Sequence, residues 1–187
     1  ALVEGPNFTF GYGRSGTTQT LRELGAQRGF EVHEVGFLKV TLPGEGEEKV
    51  CSSTAIRRLL QGGQVENAAR MLGRNYRLIG RTVPGRGIGR SLGFPTANIQ
   101  PDRQIIPDEG VYAGYAVVAD RPEDLCTGGS LRPAAFSIGR AKTFITEHPL
   151  LLEAHLLDGP VGSLYGKCLA MDFVRRIRSQ QRFESPE

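Results

Sequence analysis

Tyr76-Arg77-Leu78-Ile79-Gly80-Arg81-Thr82-Val83-Pro84-Gly85-Arg86-Gly87-Ile88-Gly89-Arg90-Ser91-Leu92-Gly93-Phe94-Pro95-Thr96-Ala97-Asn98 is where the chain changes texture. Its first part, residues 77–83, reads as a strand bounded by Pro and Gly. Four glycines then fall within the nine residues 85–93, so the backbone there can turn tightly and approach a ligand closely. Pro95 fixes its own φ and restricts Phe94, which stiffens the approach to Thr96 and Asn98.

Downstream, strand-like runs recur at residues 111–119, 133–138, 150–157 and 167–175, separated by Gly and Pro clusters. Some five strands in about 100 residues, with no helix between them, predict a small antiparallel barrel or sandwich. Residues 120–130 are polar and read as a surface loop. Upstream the pattern is mixed. Residues 1–4 read as a strand, 17–28 as a helix with Leu21 and Leu24 on one face, and 29–35 as a further strand. Residues 53–61 form a second helix with a Ser cap and a Gly62-Gly63 stop, and 65–72 a third closed by Gly73. That alternation predicts an α/β unit with a parallel sheet. The boundary falls at residues 73–75, giving segments 1–74 and 75–187. No internal repeat is present.

The 187 residues are 39% hydrophobic and 23% charged, as suits a globular domain. No run of 18 apolar residues occurs, which argues against a membrane-spanning helix, and no basic stretch followed by an apolar core marks a signal peptide. Cys51, Cys126 and Cys168 are far apart and lack metal-ligand spacing, so they read as reduced thiols of a cytoplasmic protein. The formal charge is +3, supplied mostly by arginine, whose guanidinium fork suits phosphate. A basic barrel could bind single-stranded nucleic acid, but that mode needs aromatic stacking platforms. Trp is absent and the other aromatics sit mostly at strand positions, so nucleic acid is not expected as a partner. Self-association is left open.

Three groups could carry chemistry. The glycine loop exposes N–H groups that form a nest for anions, with Arg86 and Arg90 adding charge, although no Gly-Lys-Ser/Thr follows as in the common phosphate loop. Just after it, Thr96 and Asn98 lie two apart on an extended segment and point the same way. A hydroxyl and a carboxamide oxygen are neutral ligands of the kind that Mg²⁺ takes sparingly when a nucleotide supplies the rest. Taken alone, these features also fit a flexible hairpin and a turn.

In residues 150–157, Leu150, Leu152, Ala154 and Leu156 share one face and Leu151, Glu153, His155 and Leu157 the other. Glu153 thus stands among apolar neighbours, a setting that suits a general base; a solvated glutamate on an outer strand face is the alternative. Ser52-Ser53-Thr54 with Arg57 one turn on combines hydroxyls, free helix N–H groups and a cation, as a phosphate site does. A plain N-cap gives the same pattern.

In this order, the motifs resemble one family over nearly the whole chain: the prokaryotic bifunctional riboflavin kinase/FMN adenylyltransferases, or FAD synthetases. Residues 7–11 and 14–16 look like a segment late in the adenylyltransferase domain. Ser52-Ser53-Thr54-Ala55-Ile56-Arg57 matches that domain's ATP-phosphate signature. Pro95-Thr96-Ala97-Asn98, Gly110-Val111-Tyr112-Ala113, Glu153-Ala154-His155 and Leu164-Tyr165-Gly166-Lys167 match the kinase domain.

The resemblance implies an α/β remnant of a Rossmann-like nucleotidyltransferase domain at 1–74, followed by a six-stranded antiparallel β-barrel at 75–187. It implies ATP-dependent phosphorylation of riboflavin to FMN. Gly85, Gly89, Arg90 and Thr96 would bind ATP, Thr96 and Asn98 would bind Mg²⁺, Glu153 would be the base, and Arg178 would lie beside the flavin. Ser52, Ser53, Thr54 and Arg57 would form the adenylyltransferase phosphate site.

Departures accompany the match. The family's early His-x-Gly-His motif would lie upstream of Ala1, so the chain as it stands is expected not to transfer an adenylyl group. The closing helix would begin near Glu187. Ser137-Ile138-Gly139-Arg140-Ala141-Lys142-Thr143-Phe144 keeps only four residues of the family's Asn-Ile-Gly-Thr-Arg-Pro-Thr-Phe, and Ser179 replaces a usual Pro. A flavin- or nucleotide-binding fragment without turnover is therefore the alternative reading.

Overall fold

The computed structural model describes residues 1–85, 96–126, 129–140, 150–159 and 164–180. It divides into two compact units, Ala1–Cys51 and Ser52–Glu187.

The first unit contains one parallel crossover. Strand β1 (Leu2–Glu4) pairs in parallel with β4 (Val32–Glu34), and helix α1 (Thr18–Arg28) joins them. Thr17 caps α1, and its hydroxyl accepts from the Thr20 N–H in a reciprocal capping box. Two short hairpins complete the unit: β2 (Thr9–Phe10) with β3 (Gly16–Thr17), and β5 (Lys39–Thr41) with β6 (Glu48–Val50). The sequence predicts a strand over 29–35; the observed strand is shorter because Gly29 caps α1 in the left-handed region. Leu21 is buried as expected, but Leu24 is exposed.

The second unit begins with helices α2 (Ser53–Gln61) and α3 (Val65–Leu72), both at their predicted bounds. Gly73 ends α3 with φ 68°, a conformation that favours glycine. Six antiparallel strands follow: β7 (Tyr76–Val83), β8 (Ala97–Pro101), β9 (Gly110–Ala119), β10 (Arg132–Arg140), β11 (Leu150–Leu156) and β12 (Cys168–Arg178). They close in the order β10-β11-β8-β7-β12-β9, so the structure selects the barrel over the sandwich. Residues 97–101 add a strand that the apolar pattern does not mark.

The barrel interior follows from alternation. Leu78, Tyr112, Phe136, Leu152, Leu169 and Phe173 point inward and are fully or nearly fully buried. Phe173 packs against Phe136 at 4.9 Å and edge-on against Tyr112 at 5.3 Å between ring centres. Leu60, Val65 and Ala68, from α2 and α3, belong to the same core. The texture change at residues 73–75 falls within the unit Ser52–Glu187. The apolar stripe of the two helices is buried by barrel side chains, which ties them to the strands that follow.

On the outer face, Cys168 and Ala170 join Val117 and Leu125 in a smaller cluster. Leu125 ends a 3₁₀ turn, Pro122–Leu125, so the segment predicted as a surface loop contributes a buried side chain. Among the described residues no helix is long and apolar enough to cross a membrane.

Candidate active site

One rung of backbone pairing runs through all six barrel strands. Val83 on β7 pairs with Asn98 on β8, and Asn98 pairs with Glu153 on β11. Glu153 pairs with Ser137 on β10, Ser137 with Val111 on β9, and Val111 with Arg178 on β12. Directly opposed residues of an antiparallel pair present their side chains on the same face, about 4.5–5.5 Å apart at Cβ. Phe136, Ile138, Leu152, Ala154 and Ile99 point inward, so Asn98, Glu153 and Ser137 share the outer face, and all three are half-buried. The sequence separates these residues widely; the register makes Asn98, Glu153 and Ser137 immediate neighbours.

The start of the glycine loop meets the same rung. Gly85 lies two residues beyond Val83, and a Cβ there would overlap the Asn98 carboxamide. Any larger residue at 85 must displace the side chain of Asn98. Thr96 stands just before β8 and is exposed. The Asn98 carboxamide and the Glu153 carboxylate are thus opposed across the β8–β11 pair, with Thr96 two residues before Asn98 in the chain. Among the described residues no three His, Cys, Asp or Glu side chains cluster as a metal site. A hydroxyl, a carboxamide and a carboxylate are oxygen donors of the kind Mg²⁺ takes, and not the nitrogen and sulfur donors of a structural zinc.

The other predicted residues fall as follows. Gly89 and Arg90 lie outside the described residues, as do residues 141–144 of the divergent motif. Arg178 ends β12 at the far end of the rung, where its Nη1 donates to the Ser179 carbonyl at 3.2 Å. Ser52 caps α2, its Oγ accepting from the Ala55 N–H at 3.2 Å; Ser53, Thr54 and Arg57 are exposed in the first turns. The Ser52 hydroxyl is thus engaged in capping, and this group is not part of the rung.

Ser137, on the rung, and Gln180, just after β12, were not singled out for chemistry from sequence. Gln180 Nε2 donates to Ser137 Oγ at 2.8 Å, which brings the segment after β12 against the outer face of β10. No local motif announces this contact, because it joins residues from distant parts of the chain.

The family described as "Flavokinase: Riboflavin kinase" matches residues 72–187. The chain belongs to the riboflavin kinase family. Its kinase region coincides with the six-stranded barrel and α3's last residue. The bifunctional riboflavin kinase/FMN adenylyltransferase of Escherichia coli (strain K12) is 35% identical over 184 residues, which cover 98% of this chain and 54% of the relative. That of Pseudomonas fluorescens is 34% identical over 186 residues, covering 100% and 55%. This riboflavin kinase family member thus spans about half the length of the curated relatives it matches. A crystal structure of a macrolide-efflux protein from Streptococcus pneumoniae matches with a TM-score of 0.77 and 27% identity, covering 97% of this chain and 53% of that one.

Proposed function

We propose that the chain phosphorylates riboflavin, moving the γ-phosphoryl group of ATP to the flavin's 5′-hydroxyl to give FMN and ADP. The observation that carries this reading is the register of Asn98 against Glu153, with Gly85 packed on the Asn98 carboxamide. Phosphoryl transfer asks a protein mainly for positioning and charge neutralisation, and the rung provides positioning on stiff barrel strands.

Glu153 takes the hydroxyl proton as that oxygen bonds the γ-phosphorus; the bond from γ-phosphorus to the bridging oxygen breaks, and ADP leaves. Gly85, with Gly89 and Arg90, holds the nucleotide phosphates through backbone N–H groups and a guanidinium. Thr96 and Asn98 would hold Mg²⁺, which when bound neutralises phosphate charge. Arg178 stands on the flavin side of the rung.

The remaining assignments belong to the same proposal. Residues 75–187 are the kinase domain, and 1–74 are the C-terminal part of a Rossmann-like FMN adenylyltransferase domain, to which the β1–α1–β4 crossover contributes. Ser52, Ser53, Thr54 and Arg57 form that domain's phosphate site. The partners are small molecules, and the setting is cytoplasmic.

The test is chromatographic detection of FMN from riboflavin and MgATP. FMN forms with the unsubstituted chain, and Glu153→Gln lowers turnover by roughly 10²–10⁴ with an unchanged unfolding midpoint. Full turnover in Glu153→Gln removes the base assignment. Quenching of riboflavin fluorescence without FMN formation replaces the kinase reading by one of binding alone.

A further inference from the structure

Glu153 has two in-register neighbours on its face of the barrel. Asn98 on one side is accounted for by the proposed phosphate and metal end of the site. Ser137 on the other side has no part in the reaction as drawn so far. Three observations bear on it. Ser137 is half-buried and directly opposite Glu153. Its Oγ accepts a hydrogen bond from Gln180 Nε2 at 2.8 Å. Gly139, two residues along the same face, makes room for that amide: a Cβ there would come within 2.7 Å of Gln180 Nε2.

The hydroxyl that accepts this bond keeps its own hydrogen to donate. An oxygen that already accepts from an amide turns its own hydrogen elsewhere, and accepting makes it a better donor. Across β9, the rung neighbour of Ser137 is Val111, which offers no side-chain acceptor. Across β11 it is the Glu153 carboxylate. We propose that Ser137, oriented by Gln180, is a positioning residue that directs its O–H toward the Glu153 side of the rung and holds that carboxylate for proton removal from the substrate alcohol.

The inference rests on the kinase reading and extends it. Gln180 and Ser137 act through Glu153 and need not touch the flavin. Their loss therefore appears in turnover and not in flavin affinity. Displacing a reacting group by a fraction of an ångström is enough to slow catalysis, because rate depends on the population of aligned conformers.

The experiment is steady-state kinetics of FMN formation with the full chain, alongside thermal unfolding. Ser137→Ala lowers kcat about tenfold, the scale of losing a hydrogen bond to a charged group, with KM for riboflavin within about twofold. Ser137→Thr, which keeps the hydroxyl, restores most of kcat. Gln180→Ala lowers kcat by about threefold, and the double variant is no slower than Ser137→Ala alone, as expected of two groups in one chain of hydrogen bonds.

Unchanged kcat in Ser137→Ala overturns the inference. So does a raised KM with kcat retained, which would make the pair a flavin contact. So does failure of Ser137→Thr to recover kcat when its unfolding midpoint matches that of the unsubstituted chain. Absence of FMN formation by the unsubstituted chain overturns the kinase reading itself, and this inference with it.

Discussion

In the unit from Ser52 onward, Tyr112, Phe136 and Phe173 have no solvent exposure, whereas in Ala1–Cys51 Val3 is 63% and Leu38 65% exposed. The contrast follows from topology. Six strands that close on themselves bury one whole face and leave no unpaired edge. Two-stranded pairs such as β1–β4 and β5–β6 have little to bury and two edges each. The proposed catalytic residues sit on the closed unit, where register is fixed by the buried face: a slip of one residue would turn Leu152 and Ala154 outward and Glu153 inward.

The largest test of this contrast is a pair of truncations. Phe173→Ala removes a ring packed on three aromatic neighbours and destabilises the barrel by about 3–5 kcal/mol in denaturant titration. Val3→Ala changes stability by no more than about 0.5 kcal/mol. Comparable losses at both sites would mean that the first unit has a core of similar quality.

A smaller effect comes from the barrel's outer face. Arg77 donates to both oxygens of Asp172, at 2.7 and 2.6 Å, and Asp172 is nearly buried. Arg77→Ala leaves that carboxylate unpaired and costs about 2 kcal/mol, less than a fully buried pair because Arg77 is partly solvated. The exposed pair Arg121–Asp124 is worth a few tenths of a kcal/mol, so Arg121→Ala serves as the control. Equal losses in the two variants would contradict the difference in burial.

The subtlest test uses pH. Burial inside the barrel pushes the Tyr112 phenol up to about 12 from its usual 10.0. The folded state therefore keeps the proton that the unfolded chain releases above pH 10, and the tyrosine's contribution to stability is present below pH 10 and lost as pH rises toward 12. Tyr112→Phe flattens that alkaline decline in unfolding midpoint. An unchanged slope in the variant would place the alkaline sensitivity elsewhere.

Much of this was legible in the sequence. Helices α2 and α3 carry their boundary signals beside them, the Ser52 cap before α2 and Gly73 as the stop after α3, and the structure keeps their predicted bounds. Glu153 was readable as the odd carboxylate on a strand whose other face is wholly apolar. Strand β8 was not, because only Ala97 and Ile99 supply its inward face and prolines flank the segment; its strand character comes from pairing with β7 and β11. The burial of α2 and α3 with the barrel and the Gln180–Ser137 contact were illegible for the same reason: each depends on what lies opposite in space, which local periodicity does not encode. The close approach of Gly85 to the Asn98 carboxamide was illegible too, because it joins the end of β7 to the facing strand β8.

Strand β12 pairs with β7 on one side and with β9 on the other. It is also the barrel strand furthest along the chain, so during synthesis the sheet β9-β10-β11-β8-β7 is complete while both of its flanks are still bare. The barrel can shut only after residues 168–178 have left the ribosome, and its aromatic heart stays open until Phe173 arrives. A nascent chain stalled before that point presents two sticky borders at once, which makes this last strand the step at which helper proteins have most to protect.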